Sequence, residues 1–209
     1  MTIVVDGQAH AVRSGQSLLQ ALRKLGISVP GLCCHPALEA AGRCGLCVVA
    51  VVCSGALELH LACLLQIAPD LKIFTTTAPV RQARASVARL LLRHAPFADQ
   101  RCEDMLRRII AENTMDVLNP ESAATLIGET GEVLPKGCFL CGLCVAICRT
   151  TGGNRLVYLG RGPTCRIGYA ATQGATDPCR DCLACQRICP SGFISGHPRQ
   201  VFPPACDNR

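Results

Sequence analysis

The apolar positions in the first part of the chain change their period from two to about four. Residues 2–5 and 9–12 are short segments typical of strands, and Asp6-Gly7 between them is a strong signal for a two-residue hairpin turn. Ser17 is followed by leucines at helical spacing, which predicts a helix that begins with a side-chain cap. The chain therefore opens with a predicted hairpin and a helix.

Three further apolar segments predict strands at 48–52, 56–61 and 72–76. A hairpin, a helix and then more strands is the order of a β-grasp ferredoxin. We expect an α+β protein in which residues 1–77 form this first domain.

The middle of the chain changes to helical periodicity. Apolar residues at helical spacing predict helices over 79–94 and 101–112, and a third short helix is predicted at 121–127. Glycine and proline break the rest of the segment. Residues 78–136 are therefore interpreted as a helical connector.

Residues 137–196 contain an internal repeat of cysteines with an offset of 41 residues. The first run is Cys138-x2-Cys141-x2-Cys144-x3-Cys148, and the second is Cys179-x2-Cys182-x2-Cys185-x3-Cys189 followed by Pro190. Each run has the ligand spacing of bacterial ferredoxins that bind a [4Fe–4S] cluster, and in two-cluster proteins the fourth cysteine binds the other cluster. The spacing predicts one cluster on Cys138, Cys141, Cys144 and Cys189, and a second on Cys148, Cys179, Cys182 and Cys185.

Two other interpretations of these cysteines fit the sequence less well. Structural zinc uses two C-x2-C pairs per ion, which does not explain a third and fourth cysteine in each run. A disulfide framework needs an oxidising compartment, but the first ten residues lack the features of a signal peptide and the total of 17 cysteines is odd. We therefore expect a reducing, cytoplasmic location.

A third cysteine set, in the N-terminal domain, has the spacing Cys33-x10-Cys44-x2-Cys47-x15-Cys63. Plant-type ferredoxins bind a [2Fe–2S] cluster with three cysteines in one loop and a distant fourth, although their first gap is shorter. Cys34 is an alternative to Cys33 in this set. Cys53 is a further alternative, but its place in an apolar strand predicts a buried, inert thiol.

The charge and composition exclude several function classes. The formal net charge is +6, but aromatic residues are only 3% of the chain, so stacking platforms for nucleic acid are scarce. Three anionic clusters of about −2 each would balance this charge. The most apolar stretch, residues 46–65, contains Glu58 and His60, so we predict no transmembrane segment.

The segments 30–36 (PGLCCHP), 41–48 (AGRCGLCV) and 160–163 (GRGP) carry a family resemblance. They resemble the N-terminal iron–sulfur region of the large complex I subunit, iron-only hydrogenases and the diaphorase small subunit of soluble NAD-reducing [NiFe]-hydrogenases. The resemblance implies a [2Fe–2S] cluster on Cys33, Cys44, Cys47 and Cys63. It favours Cys33 over Cys34 because the family usually has Tyr at the position of Cys34.

The chain departs from this family in the connector. Many relatives carry a His-x3-Cys-x2-Cys-x5-Cys site for one more [4Fe–4S] cluster. Counted from His94, the cysteine positions hold Ala98, Arg101 and Arg107, which cannot bind iron. We predict that this cluster is absent and that His94 is not a ligand.

The resemblance implies a non-catalytic electron-transfer subunit of a soluble complex. Its expected partners are an NAD(P)H/flavin subunit and a second redox catalytic subunit, of the hydrogenase or formate dehydrogenase type. A free-standing polyferredoxin carrier is the alternative, and a zinc-stabilised interaction protein is a third interpretation. Residues 197–209, rich in proline, are expected to form an extended arm on a partner.

Overall fold

A computed structural model describes residues 1–113, 135–170 and 179–204. The N-terminal domain contains five strands and one helix: β1 Thr2–Val5, β2 Gln8–Ala11, α1 Leu18–Lys24, β3 Val48–Cys53, β4 Ala56–Leu61 and β5 Lys72–Phe74. These elements confirm the predicted hairpin, capped helix and further strands. The predicted helix at 121–127 lies outside the described residues.

The five strands form one mixed sheet in the order β2-β1-β5-β3-β4. β1 and β5 are parallel, and the other neighbours are antiparallel. Helix α1 packs its buried leucines on one face of this sheet, and its first turn is held by a capping box between Ser17 and Gln20. Burial of this face closes the first apolar core.

The last strand of the sheet ends earlier than its sequence suggests. The prediction extended to residue 76, but β5 ends at Phe74. The next residue, Thr75, donates its backbone N–H to Asp6 Oδ1 at 2.8 Å and its hydroxyl to Asp6 Oδ2 at 2.5 Å. Because a carboxylate takes this N–H, the ladder of strand hydrogen bonds stops here.

Two helices that pack against each other follow, α2 Ala78–Leu92 and α3 Gln100–Ala111. Both helices were predicted within about two residues of these bounds. Together with the cysteine loop of the first domain and Phe139, they enclose a second apolar core. The connector is therefore packed against both flanking segments.

The C-terminal part contains α4 Leu143–Thr150, β6 Leu156–Leu159, a short 3-10 turn Gly162–Thr164, β7 Arg166–Tyr169, α5 Ala184–Ile188 and α6 Pro198–Val201. β6 and β7 pair as an antiparallel ribbon. The two longer helices, α4 and α5, each carry cysteines from one run and pack with this ribbon around a third apolar core.

The described part of the tail differs from the extended arm that its prolines suggested. Residues 198–201 are helical, Phe202 is only 6% exposed, and Tyr169 donates its backbone N–H to the Pro203 carbonyl at 2.8 Å. Burial of one aromatic ring and pairing beside β7 hold the chain on its own domain. None of the helices in the described ranges combines the length and apolarity that a bilayer crossing requires.

Candidate metal centres

The four cysteines of the N-terminal set are brought together by the β3–β4 hairpin and the loop before it. Cys47 directly precedes β3 and Cys63 lies just after β4, and the pairing of Val48 with Leu61 places these two ends side by side. Cys33 and Cys44 lie in the loop between α1 and β3. None of the four is more than 3% exposed.

Backbone amides point at these sulfur atoms. The N–H of Cys44 donates to Cys33 Sγ at 3.2 Å, and the N–H of Leu32 donates to Cys44 Sγ at 3.4 Å. Such hydrogen bonds stabilise negative charge on sulfur and are a means by which proteins tune iron–sulfur centres. The loop is therefore built to hold thiolates.

Hydrogen bonds between the thiols divide this set into two pairs. The bond from the Cys33 thiol lowers the pKa of Cys44 to about 5, and the bond from the Cys63 thiol lowers the pKa of Cys47 to about 7. The same bonds, together with burial, raise the pKa of Cys33 and of Cys63. In each pair one thiol is therefore the more readily ionised to the thiolate, which is the form that binds metal.

The geometry favours Cys33 over the neighbouring Cys34. Cys33 Sγ is buried and accepts an N–H bond, whereas Cys34 is half-buried and its pKa is raised by desolvation. Cys53 lies at the far end of the hairpin, in contact with His60. It packs at the margin of the first apolar core but is half-buried, so the expectation of full burial is wrong, because β4 is an edge strand and the hairpin ends next to solvent.

The first cysteine run and the last cysteine of the second run line one cavity. Apart from Ser191, the other side chains in the walls of this cavity are apolar, with Ile167, Phe193 and Phe202 among them. Its sulfur-bearing residues are Cys138, Cys141, Cys144 and Cys189. The set that the crossed pattern predicted is therefore gathered around one space.

The other four cysteines line a second cavity, next to Leu156 and Pro198. They are Cys148, Cys179, Cys182 and Cys185. Cys148 Sγ accepts the backbone N–H of Arg155 at 3.1 Å, and the Tyr169 hydroxyl donates to Cys179 Sγ at 3.8 Å. Cys182 is the exposed member of this set.

Burial disfavours charge on these thiols. Desolvation raises the pKa of Cys138, raises that of Cys141 to about 12 and raises that of Cys185 to about 11. A coordinating metal reverses this preference, because its positive charge deprotonates the thiol. Four sulfur donors around one apolar cavity therefore fit a thiolate-bound metal cluster and suit no hard, oxygen-seeking cation.

The connector residues at the family's extra cluster site take other roles. His94 Nδ1 lies 2.9 Å from the Pro135 carbonyl oxygen, while Arg101 pairs with Asp99 and Arg107 with Glu103. Cys102 is 4% exposed, and burial raises its pKa to about 12. The absence of this cluster remains a prediction.

Among known protein families, one matches the N-terminal domain of this chain. Residues 1–78 match the family described as "2Fe-2S iron-sulfur cluster binding domain". The match supports a [2Fe–2S] cluster in this domain, and it ends one residue beyond the boundary expected from the sequence.

Curated relatives extend the resemblance. The chain is 34% identical over 103 residues to the NADH-ubiquinone oxidoreductase 75 kDa subunit of Reclinomonas americana, covering 49% of this chain and 15% of that protein. It is 26% identical to the NADP-reducing hydrogenase subunit HndD of Solidesulfovibrio fructosivorans, over 94% of this chain and 36% of that subunit. The chain thus spans at most 36% of the length of these two relatives. The resemblance to complex I and hydrogenase iron–sulfur regions is confirmed.

A solved structure shows the same fold over most of the chain. The match is to a chain in the crystal structure of an NAD+-reducing [NiFe]-hydrogenase in the H2-reduced state, with a TM-score of 0.67 and 24% identity. It covers 91% of this chain and 85% of that one. At this identity the likeness establishes the fold.

Two basic side chains beside the thiols have no signal in the sequence pattern. Arg84, on α2, is buried and donates through Nε and Nη2 to the Val48 carbonyl at 3.0 and 2.6 Å. Arg43, between the first cysteines, stacks over the Tyr158 ring with its guanidinium carbon 4.5 Å from the centroid. The helical spacing around Arg84 does not indicate what its side chain contacts, because only the tertiary fold brings α2 to β3.

Proposed function

We propose that this protein is an electron-transfer iron–sulfur subunit with one [2Fe–2S] and two [4Fe–4S] clusters. The [2Fe–2S] ligands are Cys33, Cys44, Cys47 and Cys63. The first [4Fe–4S] cluster uses Cys138, Cys141, Cys144 and Cys189, and the second uses Cys148, Cys179, Cys182 and Cys185. When bound, such clusters supply one-electron redox chemistry.

The observation that carries this proposal is the grouping of twelve thiols into three sets of four. Spacing along the chain predicts the two C-terminal sets, and the members of each line one cavity. In the N-terminal set the resemblance selects Cys33, and all four cysteines are at most 3% exposed. The crossed exchange of Cys148 and Cys189 between the two runs supports clusters more strongly than zinc, because it is the ligand pattern of two-cluster ferredoxins.

The chain itself has three tasks in this function. Its apolar cores keep water from the sulfur atoms of the [2Fe–2S] set, and its backbone amides and Arg84 stabilise negative charge there. Cys33 and Cys44 pack in the same apolar cluster as Cys141, so the first and second sets share one core. The proposed domains are residues 1–77, the connector 78–136 and the two-cluster module 137–196.

We further propose that the protein works inside a soluble hetero-oligomer in the cytoplasm. Its partners would be an NAD(P)H/flavin subunit and a second redox catalytic subunit of the hydrogenase or formate dehydrogenase type. This part rests on the functions for which the relatives are named and on the fold shared with a chain of the hydrogenase structure. Anaerobic affinity purification from the native host, followed by flavin analysis, tests it. Recovery of a flavin-free monomer that reduces many acceptors would instead favour a free carrier.

The cluster content is tested first by iron and acid-labile sulfide analysis of anaerobically purified protein. We expect about ten irons and ten sulfides per chain, as 2 + 4 + 4. About fourteen irons would contradict the predicted absence of the His94 cluster. Zinc without sulfide would overturn the electron-transfer proposal.

The crossed ligand assignment is tested by paired double variants. Cys148→Ala with Cys182→Ala removes two ligands of one proposed cluster, so about six irons should remain. Cys148→Ala with Cys141→Ala damages both clusters, so only about two irons should remain. The opposite result for the two pairs would place Cys148 with its own run.

A further inference from the structure

The tip of the β3–β4 hairpin carries three metal-binding side chains that the proposed clusters do not use. They are Cys53 at the end of β3, and Glu58 and His60 on β4. The geometry points to a separate mononuclear site there for Zn²⁺ or a similar thiophilic divalent cation. This inference does not depend on the iron–sulfur assignment.

The ligand atoms are already close to the separations in a metal shell. Cys53 Sγ lies 3.9 Å from His60 Nε2, and His60 Nε2 lies 3.3 Å from Glu58 Oε2, with all three atoms within 4.8 Å of one another. Tetrahedral zinc with Zn–S of about 2.3 Å and Zn–N of about 2.0 Å separates S and N by roughly 3.6 Å. The observed separation of Cys53 Sγ and His60 Nε2 is therefore within a few tenths of an ångström of the value in a zinc site.

The hairpin preorganises this arrangement. Ser54 and Gly55 form a two-residue turn with positive φ at both positions, 49° and 85°, which fixes the register of the two strands. In this register Glu58 pairs with Val51 and His60 pairs with Val49. Residues two apart on a strand share a face, so Glu58 and His60 point to the same side, and the contact with Cys53 shows that its thiol does too.

The position of the site suits exchange of a metal with solvent. β4 is an edge strand, and the side chains of His60 and Glu58 are 35% and 54% exposed. Three protein ligands leave a fourth coordination position for water. A single thiol is too few for an iron–sulfur cluster, whose irons are held mainly by cysteine thiolates. The thiol also selects against Ca²⁺ and Mg²⁺, which prefer oxygen ligands.

The binding experiment uses the full-length, cluster-loaded protein. The protein is dialysed anaerobically against a buffer that holds free Zn²⁺ at about 1 μM, a concentration low enough to select for a site with three protein ligands. Zinc and iron per chain are then measured by mass spectrometry. We expect about one zinc per chain in the wild type. Cys53→Ser and His60→Ala should each weaken zinc binding by more than about tenfold, since even loss of an outer-shell partner costs 10–100-fold.

Matched controls separate this site from the cluster sites. His10→Ala, in β2 of the same sheet, should leave zinc binding unchanged, and all variants should keep the wild-type iron content. Wild type that takes up no zinc overturns the proposal. Zinc uptake that persists in both Cys53→Ser and His60→Ala also overturns it.

Zinc K-edge X-ray absorption tests the ligand set without any variant. We expect one sulfur at about 2.3 Å and the remaining donors as nitrogen or oxygen at about 2.0 Å. A shell of three or four sulfurs would show zinc in the cysteine-rich cluster motifs and would contradict the hairpin site. Because iron and zinc edges are separate, this result is distinguishable from failure of the iron–sulfur proposal.

Discussion

Arg84 is the residue where burial and charge conflict most clearly. It is 9% exposed, and among the described residues no carboxylate lies within ion-pair distance. Desolvation lowers the pKa of Arg84, and the negative charge of the Cys47 thiolate acts in the opposite direction. A buried cation without an acidic partner is costly, so an anionic cluster at the N-terminal set would supply its missing countercharge.

We therefore expect Arg84→Met to lower the reduction potential of the [2Fe–2S] centre by some tens of millivolts. Removal of one positive charge makes the added electron less favourable, and a unit charge at an effective dielectric constant near 20 gives an effect of about this size. Redox titration followed by EPR measures it. Arg84→Lys should keep most of the potential.

The matched control for this change is Arg93→Met, an exposed arginine directly after the same helix. It should shift the potential little, since solvent and salt screen it. An equal shift in both variants would mean that Arg84 acts through the net charge of the protein rather than through proximity.

Helices α4 and α5 show how a repeated sequence becomes a repeated site. Each begins directly after a residue in the left-handed conformation, Gly142 at φ 80° and Leu183 at φ 45°, and each places a cysteine at its second residue. The loop reversal before each helix places the cysteine at the second helical position in a buried environment, Cys144 in the first copy and Cys185 in the second. The residue before α4 is a glycine, Gly142, because the Tyr158 hydroxyl leaves no room there for a side chain.

Gly142→Ala is expected to disrupt the first [4Fe–4S] site. An added Cβ would overlap the Tyr158 hydroxyl and lie 3.3 Å from Arg43 Nε, and positive φ costs an L-residue about 1–2 kcal/mol. We expect the loss of about four irons per chain and a lower thermal midpoint, measured by metal analysis and thermal denaturation.

Gly152→Ala is the control, because Gly152 has a similar φ of 79° but nothing within 4 Å of its added Cβ. It should carry the backbone cost alone and keep its iron. Equal iron loss in the two variants would show that strain, not contact with Tyr158, causes the defect.

At the scale of the whole molecule, one apolar cluster joins three segments of the chain. It contains Cys33, Cys44 and Leu46 from the first domain, Leu106 from α3, and Phe139 from the two-cluster module. The loop after Cys189 also contacts the start of α3, where Asp99 donates its N–H to the Ser191 carbonyl at 2.9 Å. We infer that the modules unfold together.

Leu106→Ala tests this coupling. Leu106 is fully buried, so its truncation should cost about 2–5 kcal/mol of unfolding free energy. Urea unfolding should remain a single transition when followed by cluster absorbance and by circular dichroism. Leu90→Ala, on the neighbouring helix but 54% exposed, should change stability far less. Two separate transitions in Leu106→Ala would contradict the shared core.

Much of the fold could be predicted because local signals agreed with one another. The Asp6-Gly7 turn, the Ser17 cap and the apolar periods placed most helices and strands within about two residues. The end of β5 at Phe74 could not be predicted, because the Asp6 carboxylate in the β1–β2 turn takes the next backbone N–H. The helix at Pro198–Val201 could not be predicted either, because burial of Phe202 holds this segment on its own domain.

The sequence by itself predicted which cysteines form sets, because metal-ligand spacing is a local property of loops and helix starts. It also predicted the order of strands and helices from β1 to α3. Only the tertiary structure decided that Arg84 reaches β3, that Arg43 stacks on Tyr158, and that Cys53 meets His60. These contacts join residues far apart or across a sheet edge, so burial, strand register and close packing select them, and no periodicity along the chain encodes them.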